Sequence, residues 1–189
     1  MSKPSSNQKP PHTLISKETV FENRWTILEE HSVSQGDGKT HSYLINKDKQ
    51  DAVGIIALTP ENKIVLIKEY KYQAGDFIWT IPIGAVENNE VIASAERELA
   101  EEAGYLSNKI ERLQTIHQGH NRFSQIHLTV AHKCKSAKEQ ELDSSEHIVS
   151  VTEKTTAEVV KMISSNEIKS GLVLACLCIY LASENLRHI

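Results

Sequence analysis

The chain has 189 residues, with 21 Lys and Arg against 25 Asp and Glu and a net charge of −4. That length suits one domain with short extensions, and 39% apolar with 24% charged residues is the composition of an ordinary globular protein, not a disordered or fibrous one. The acidic balance, with no basic stripe carrying interleaved aromatics, argues against nucleic acid as a partner. The longest apolar run, Gly171 to Ala182, falls well short of the ~20 residues a membrane span requires.

The three cysteines, Cys134, Cys176 and Cys178, include no pair of CxxC motifs, and odd, unpaired usage fits a reducing compartment. The first residues, MSKPSSNQKPP, lack the apolar core of a signal peptide, so a cytoplasmic location is expected. Residues 1–12, rich in Pro, Ser, Asn, Gln and Lys, read as a disordered tail. Val20 to Glu29 and His41 to Ile45 read as strands around Gly36-Asp37-Gly38, a hairpin signal. Ala52 to Leu58 is a nearly continuous apolar run and predicts a buried strand. Pro60-Glu61-Asn62 then turns the chain into a second strand, Lys63 to Tyr70, and Trp79 to Ile83 is a short third one ended by Gly84.

Val91 to Ala103 predicts a helix, with Asn88 or Asn89 as its cap and Gly104 as its left-handed stop. Its apolar positions Ile92, Ala95, Leu99 and Ala103 recur at three- and four-residue spacing. Ile126 to Ala131 and His147 to Thr152 predict further strands, and Thr156 to Ser164 and Gly171 to Ser183 two closing helices. No internal repeat is present. The pattern as a whole predicts one mixed α/β domain, opening with short strands within residues 13–50 and continuing as the main body over residues 51–189.

The chemistry concentrates in Gly84 to Tyr105, GAVENNEVIASAERELAEEAGY. On a helix Glu98, Glu101 and Glu102 come to one side, where like charges repel unless a cation lies between them. Arg97 can hold Glu101 one turn on. A hard divalent cation such as Mg²⁺ or Mn²⁺ suits the remaining carboxylates. A solvated acidic face is the alternative that spacing alone leaves open.

The segment resembles the Nudix signature, a loop–helix–loop in which a Gly and a loop Glu precede Arg-Glu-aliphatic-any-Glu-Glu-any-Gly. Arg97, Glu98, Leu99, Glu101, Glu102 and Gly104 stand at the matching places, and Ile81-Pro82-Ile83-Gly84 resembles the Leu-Pro-Ala-Gly of the ADP-ribose pyrophosphatase branch. Six residues lie between Glu90, at the place of the loop Glu, and Arg97 where the family has seven, and Tyr105 replaces the usual aliphatic. The resemblance implies a Nudix fold, an α/β/α sandwich with a mixed sheet and a small N-terminal antiparallel sheet.

The likeness extends over roughly residues 13–181. Lys68-Glu69-Tyr70-Lys71-Tyr72 resembles the Gln-Tyr-Arg-Tyr segment of nucleotide-sugar pyrophosphatases, with Lys71 where the family's Arg binds the diphosphate, a point charge in place of a bidentate fork. The N-terminal strands match the small sheet that builds a homodimer in this branch, and Trp25, Phe21 and Trp79 are candidates for stacking on a base. His117 to His132 matches the family's Ser-Pro-Gly segment, with Gly119 in place and Gln118 at the Pro. His120 or Arg122 is placed to meet a phosphate or ribose. Glu139 to Ile148 matches a loop carrying Glu-any-Glu, of which the second falls on Glu146 and the first on Ser144. Ser144 is no base by itself, so Asp143, Glu141 or Glu139 is the substitute.

The resemblance thus implies hydrolysis of the diphosphate bond of ADP-ribose or a related nucleoside diphosphate sugar, dependent on Mg²⁺ or Mn²⁺. The metal ligands expected are Glu98, Glu101, Glu102 and Glu146, and the catalytic residues Glu101, Asp143 and Arg97. Lys71, Trp25, Gly84, Gly119 and Arg122 are expected to bind a small-molecule nucleotide. The other reading is a Nudix domain that binds a nucleotide and barely hydrolyses it. The short loop, Lys71 and Ser144 favour that reading, and the complete acidic helix opposes it.

Overall fold

The computed structural model of the chain describes residues 11–36, 38–119, 122–137 and 147–186. The expectations of a disordered start, of a turn at Asp37 and of roles for His120, Glu139, Glu141, Asp143, Ser144 and Glu146 therefore lie outside the described residues, apart from Pro11 and His12. The chain forms two compact units. One takes in the chain up to Lys49 together with His117–Ser124, and the other Gln50–Ile116 with the chain from Gln125 on.

The first unit is an antiparallel sheet of β1 (Thr13–Glu22), β2 (Thr26–Ser34) and β3 (Thr40–Asp48), in that order. The sequence predicts one strand over Val20 to Glu29, and the structure breaks it at Asn23-Arg24-Trp25. Asn23 Oδ1 accepts from the Trp25 N–H (2.8 Å) and the Thr26 N–H (2.9 Å), an Asx turn that reverses the chain. Such a side-chain turn leaves no mark on hydrophobic alternation. Glu29 is buried on β2 and met by Lys47 Nζ at 2.6 Å, His31 Nε2 at 2.7 Å and Lys17 Nζ at 3.4 Å.

The second unit carries β4 (Ala52–Ala57), β5 (Ile64–Lys71), β6 (Asp76–Thr80), β7 (Ile83–Ala85), α1 (Val91–Ala103), β8 (Tyr105–Leu106), β9 (Lys109–His117), β10 (Gln125–His132), β11 (Lys135–Ser136), β12 (Ile148–Lys154), α2 (Thr156–Ser164) and α3 (Gly171–Leu186). One sheet has the order β7-β4-β10-β9, with β4 and β10 parallel; a second has the order β12-β5-β6, and β11 pairs with β8. The predicted strand Trp79 to Ile83 proves to be two, β6 and β7, interrupted at Ile81-Pro82, because proline has no N–H for a ladder. Strand β9 is not among the strands expected from sequence, because KIERLQTIH is apolar only at Ile110, Leu113 and Ile116 and has no alternation.

Apolar runs in β4 and β5 are explained by burial on both faces. Ile55, Val53, Val65 and Ile67 belong to one cluster with Ala95 and Leu99 of α1, while Ile56, Ile64 and Leu66 join Val159 of α2 and Leu177 of α3 in another. The strands are thus a layer between α1 and the closing helices. Helix α2 begins with a capping box: Thr155 accepts from the Glu158 N–H, and the Glu158 carboxylate accepts from the Thr155 N–H at 2.8 Å.

Candidate active site

Helix α1 is entered without a conventional cap. The predicted cap, Asn88 or Asn89, is not used: both sit in the left-handed region, at φ 51° and 62°, and the N-cap is Glu90, whose side chain makes no cap bond. Two consecutive left-handed asparagines turn the chain sharply into the helix. The loop is tied instead by Ser94 Oγ, which accepts from the Glu87 N–H at 3.0 Å. At the far end Gly104, at φ 67°, closes the helix as the sequence predicts.

The apolar stripe of α1 does more than fill the core. Beside Ala95, Leu99 and Ala103, the row Ser94, Glu98 and Glu102 is also buried, Glu98 to 5% exposure and Glu102 to 4%. A carboxylate at that depth is costly unless it is held. Glu102 Oε2 accepts from the Ile83 N–H at 2.8 Å. Glu98 lies directly over Gly84 and accepts from Arg97 Nη2 at 2.6 Å.

Arg97 is the hub of the loop and helix. Its Nη1 donates to Glu101 Oε2 (2.7 Å), and its Nη2 donates to Glu98 and to the Ala85 carbonyl (3.3 Å). The same Nη2 lies 3.5 Å from Glu87 Oε1. Glu87, not Glu90, is therefore the loop acid that faces the arginine. Burial depresses the Arg97 pKa, but Glu98 and Glu101 outweigh it and the net shift is upward. One guanidinium facing three carboxylates still leaves an excess of negative charge, which a divalent cation would relieve.

Next to this helix end is a cleft of about 610 Å³ lined by Glu69, Tyr70, Lys71, Tyr72, Gln73, Ile83, Glu102 and His147. Lys71, the expected diphosphate residue, faces into it and is bound to Glu69 Oε1 at 2.7 Å. Glu69 is 4% exposed and continues the α1-facing row of Val65 and Ile67 on β5, where an apolar residue would be expected. In the sequence, the only mark of Glu69 is an acid near the end of the apolar run KIVLIKEY. Glu102 and Lys71 share this cleft, while Glu101 is turned to Arg97. Among the described residues no three acidic, His or Cys side chains already form a metal-holding group. Glu98 and Glu102 nevertheless fit a hard divalent ion, since both are buried oxygen donors one helical turn apart, aimed at Ile83-Gly84.

The remaining candidates belong to the first unit. Trp25 is 63% exposed at the β1–β2 turn, with the Arg24 guanidinium 3.9 Å from its ring centroid. Arg122 Nη2 donates to Asp48 Oδ1 at 3.0 Å, and Gly119 has open space where a Cβ would be.

Residues 48–169 match the NUDIX domain family. The chain is 31% identical over 157 residues to an ADP-ribose pyrophosphatase of Bacillus subtilis (strain 168), covering 82% of this chain and 84% of that protein. It is 32% identical over 178 residues to a methanol dehydrogenase activator of Bacillus methanolicus, covering 92% and 95%. A crystal structure of an ADP compounds hydrolase superposes with a TM-score of 0.82 at 18% identity, covering 96% of this chain and 98% of that one, which supports the fold alone. The chain belongs to the Nudix family and is a Nudix hydrolase with the mixed α/β fold of that family.

Proposed function

We propose that the chain hydrolyses the diphosphate bond of ADP-ribose or a related nucleoside diphosphate sugar, releasing a nucleoside monophosphate and a sugar phosphate. The cleft that joins Lys71 to Glu102, beside the Arg97-clamped acidic helix, carries this reading. The pyrophosphatase relative supports ADP-ribose as the first substrate to test.

Nudix hydrolases generally use divalent metal ions, and Glu98 and Glu102 would hold one here, with Mg²⁺ or Mn²⁺ as the candidates. Bound there, the ion would supply charge neutralisation of the diphosphate and a lowered pKa for an attacking water. Glu101 and Glu146 are proposed to complete the metal set, and Asp143 or a neighbouring acid to orient the water. Lys71 would take the diphosphate, exchanging Glu69 for phosphate oxygens. Arg97 keeps Glu98, Glu101 and the loop in place, so its role is positioning. Trp25, Gly119 and Arg122 are proposed for the base and ribose end, in a homodimer built by the exposed N-terminal sheet.

Release of AMP from ADP-ribose and from a nucleotide-sugar panel, with Mg²⁺, Mn²⁺ and EDTA arms, is the test. Cleavage of one substrate that EDTA abolishes establishes the reading, and undiminished turnover by Glu98→Gln would sink the metal assignment. The methanol dehydrogenase activator relative favours a second reading, in which the chain acts on a partner enzyme. Metal-dependent nucleotide binding without turnover on any substrate would favour that reading.

A further inference from the structure

A second concave site lies past the end of β4, away from the contact of Glu98 with Gly84. Gly84 pairs with Val53 near the start of that strand, whereas the turn carrying Lys133 is bonded to Leu58, just past its end and roughly 16 Å along at the rise of an extended strand. It has a volume of about 760 Å³ and is lined by Pro60, Asn62, Leu106, Asn108, Lys109, His132, Lys133, Lys135 and Ser136. Three lysines line one concavity in a chain whose net charge is −4.

The lining contains no carboxylate. Among the described residues Lys109, Lys133 and Lys135 have no acid within 4.0 Å, while His132 is bonded to Glu111 Oε1 at 2.9 Å. All three lysines are exposed, so nothing in their own surroundings explains grouping them, and their mutual repulsion opposes it.

The loops that present them are locked together. Ser107 Oγ accepts from the Lys109 N–H (3.1 Å) and donates to the His132 carbonyl (2.7 Å). The Cys134 N–H donates to the Leu58 carbonyl at 2.7 Å, tying the turn that carries Lys133 to the end of β4. The Asn62 N–H closes its own turn on the Thr59 carbonyl at 2.9 Å. Loops fixed before a ligand arrives need little ordering on binding it.

We propose that this cavity is a binding site for a phosphate-bearing small molecule, separate from the diphosphate-cutting cleft. Lys109, Lys133 and Lys135 supply point charges suited to phosphate. Asn62 and Asn108 add amide groups, and Leu106 with Pro60 an apolar wall. The volume is within the ~300–1,000 Å³ of small-molecule sites.

Calorimetry on the full chain in EDTA, with inorganic pyrophosphate, ATP and AMP as probes, tests this. Pyrophosphate or ATP is expected to bind the native chain, and the double variant Lys133→Gln/Lys135→Gln to weaken binding at least tenfold. Lys109→Gln should weaken it less, and Lys71→Met should leave this binding in place. Tighter binding of ATP than of pyrophosphate would assign the apolar wall to the base, and equal binding would assign the site to phosphates alone. No binding by the native chain, equal binding by the lysine variants at unchanged melting temperature, or loss in Lys71→Met instead would overturn the proposal.

Discussion

A Cβ on Gly84 would lie 1.8 Å from Glu98 Cδ, far closer than two unbonded carbons can stand. The bare backbone of β7 is therefore what admits the Glu98 carboxylate to its buried position. Gly84→Ala is expected to push Glu98 aside and lower kcat/KM by about 10²-fold, the scale of a 1 Å displacement in a reacting site. Overpacking should lower stability by only about 1–3 kcal/mol. Steady-state kinetics beside a thermal melt separate the two effects.

Arg97→Lys should not rescue what Arg97→Ala loses. A single ammonium cannot reach Glu98, Glu101 and the Ala85 carbonyl together, as the guanidinium does. Both variants are expected to lose about 1–3 kcal/mol, the ordinary range for breaking such a network. Urea titrations of the two would check it, and native-like stability of the lysine variant would show that the fan of bonds is unimportant.

Divalent ions should stabilise the folded chain itself. At a hundredfold excess over Kd the gain is about 2.7 kcal/mol, which raises the melting temperature by about 5–10 °C in a chain of this size. Glu98→Gln and Glu102→Gln should reduce the Mn²⁺ shift by at least half. Equal shifts in native and variant protein would place the ion elsewhere.

Lys47 first, then His31, hold the Glu29 carboxyl down to about 2. Its folded pKa is lower than the ~4.3 of an unfolded chain. The unfolded state therefore takes up the proton first on acidification, and the stability Glu29 contributes is complete above that value and lost as pH falls toward 2. Glu29→Gln is expected to flatten this acid limb. Trp25 fluorescence in the same three-stranded unit reports it, and an unchanged limb would show that Glu29 is not its source.

Burial pushes the Cys176 thiol up to about 11 and raises that of Cys134, whereas Cys178 is exposed on α3. A thiolate-selective reagent at pH 8 should modify one cysteine in the native protein and three after unfolding. Mass mapping should find the label on Cys178, and fast labelling of Cys176 would contradict the packing of α3.

Much of the main unit was legible from local pattern. Continuous apolar runs announced β4 and β5 because both faces are covered, and the helix spans of α1 and α2 agree residue for residue with the periodic segments. Polar β9 and the Asn23 turn were not legible: the first has no alternation to read, and the second rests on a side-chain hydrogen bond. Cap choice at α1 failed for a similar reason, since the two asparagines serve the turn with positive φ and not the helix.

By itself the sequence determined the family and the identity of the acids on α1, because a helix places Glu98, Glu101 and Glu102 by spacing alone. Only the tertiary structure decided that Glu87 faces Arg97, that Glu98 is seated on Gly84, and that Lys71 is held by a buried Glu69. The first two pairings join β7, the loop and α1, whose distances are set by packing that no local spacing encodes. Glu69 and Lys71 share β5, and only the burial of Glu69 depends on what packs over that strand.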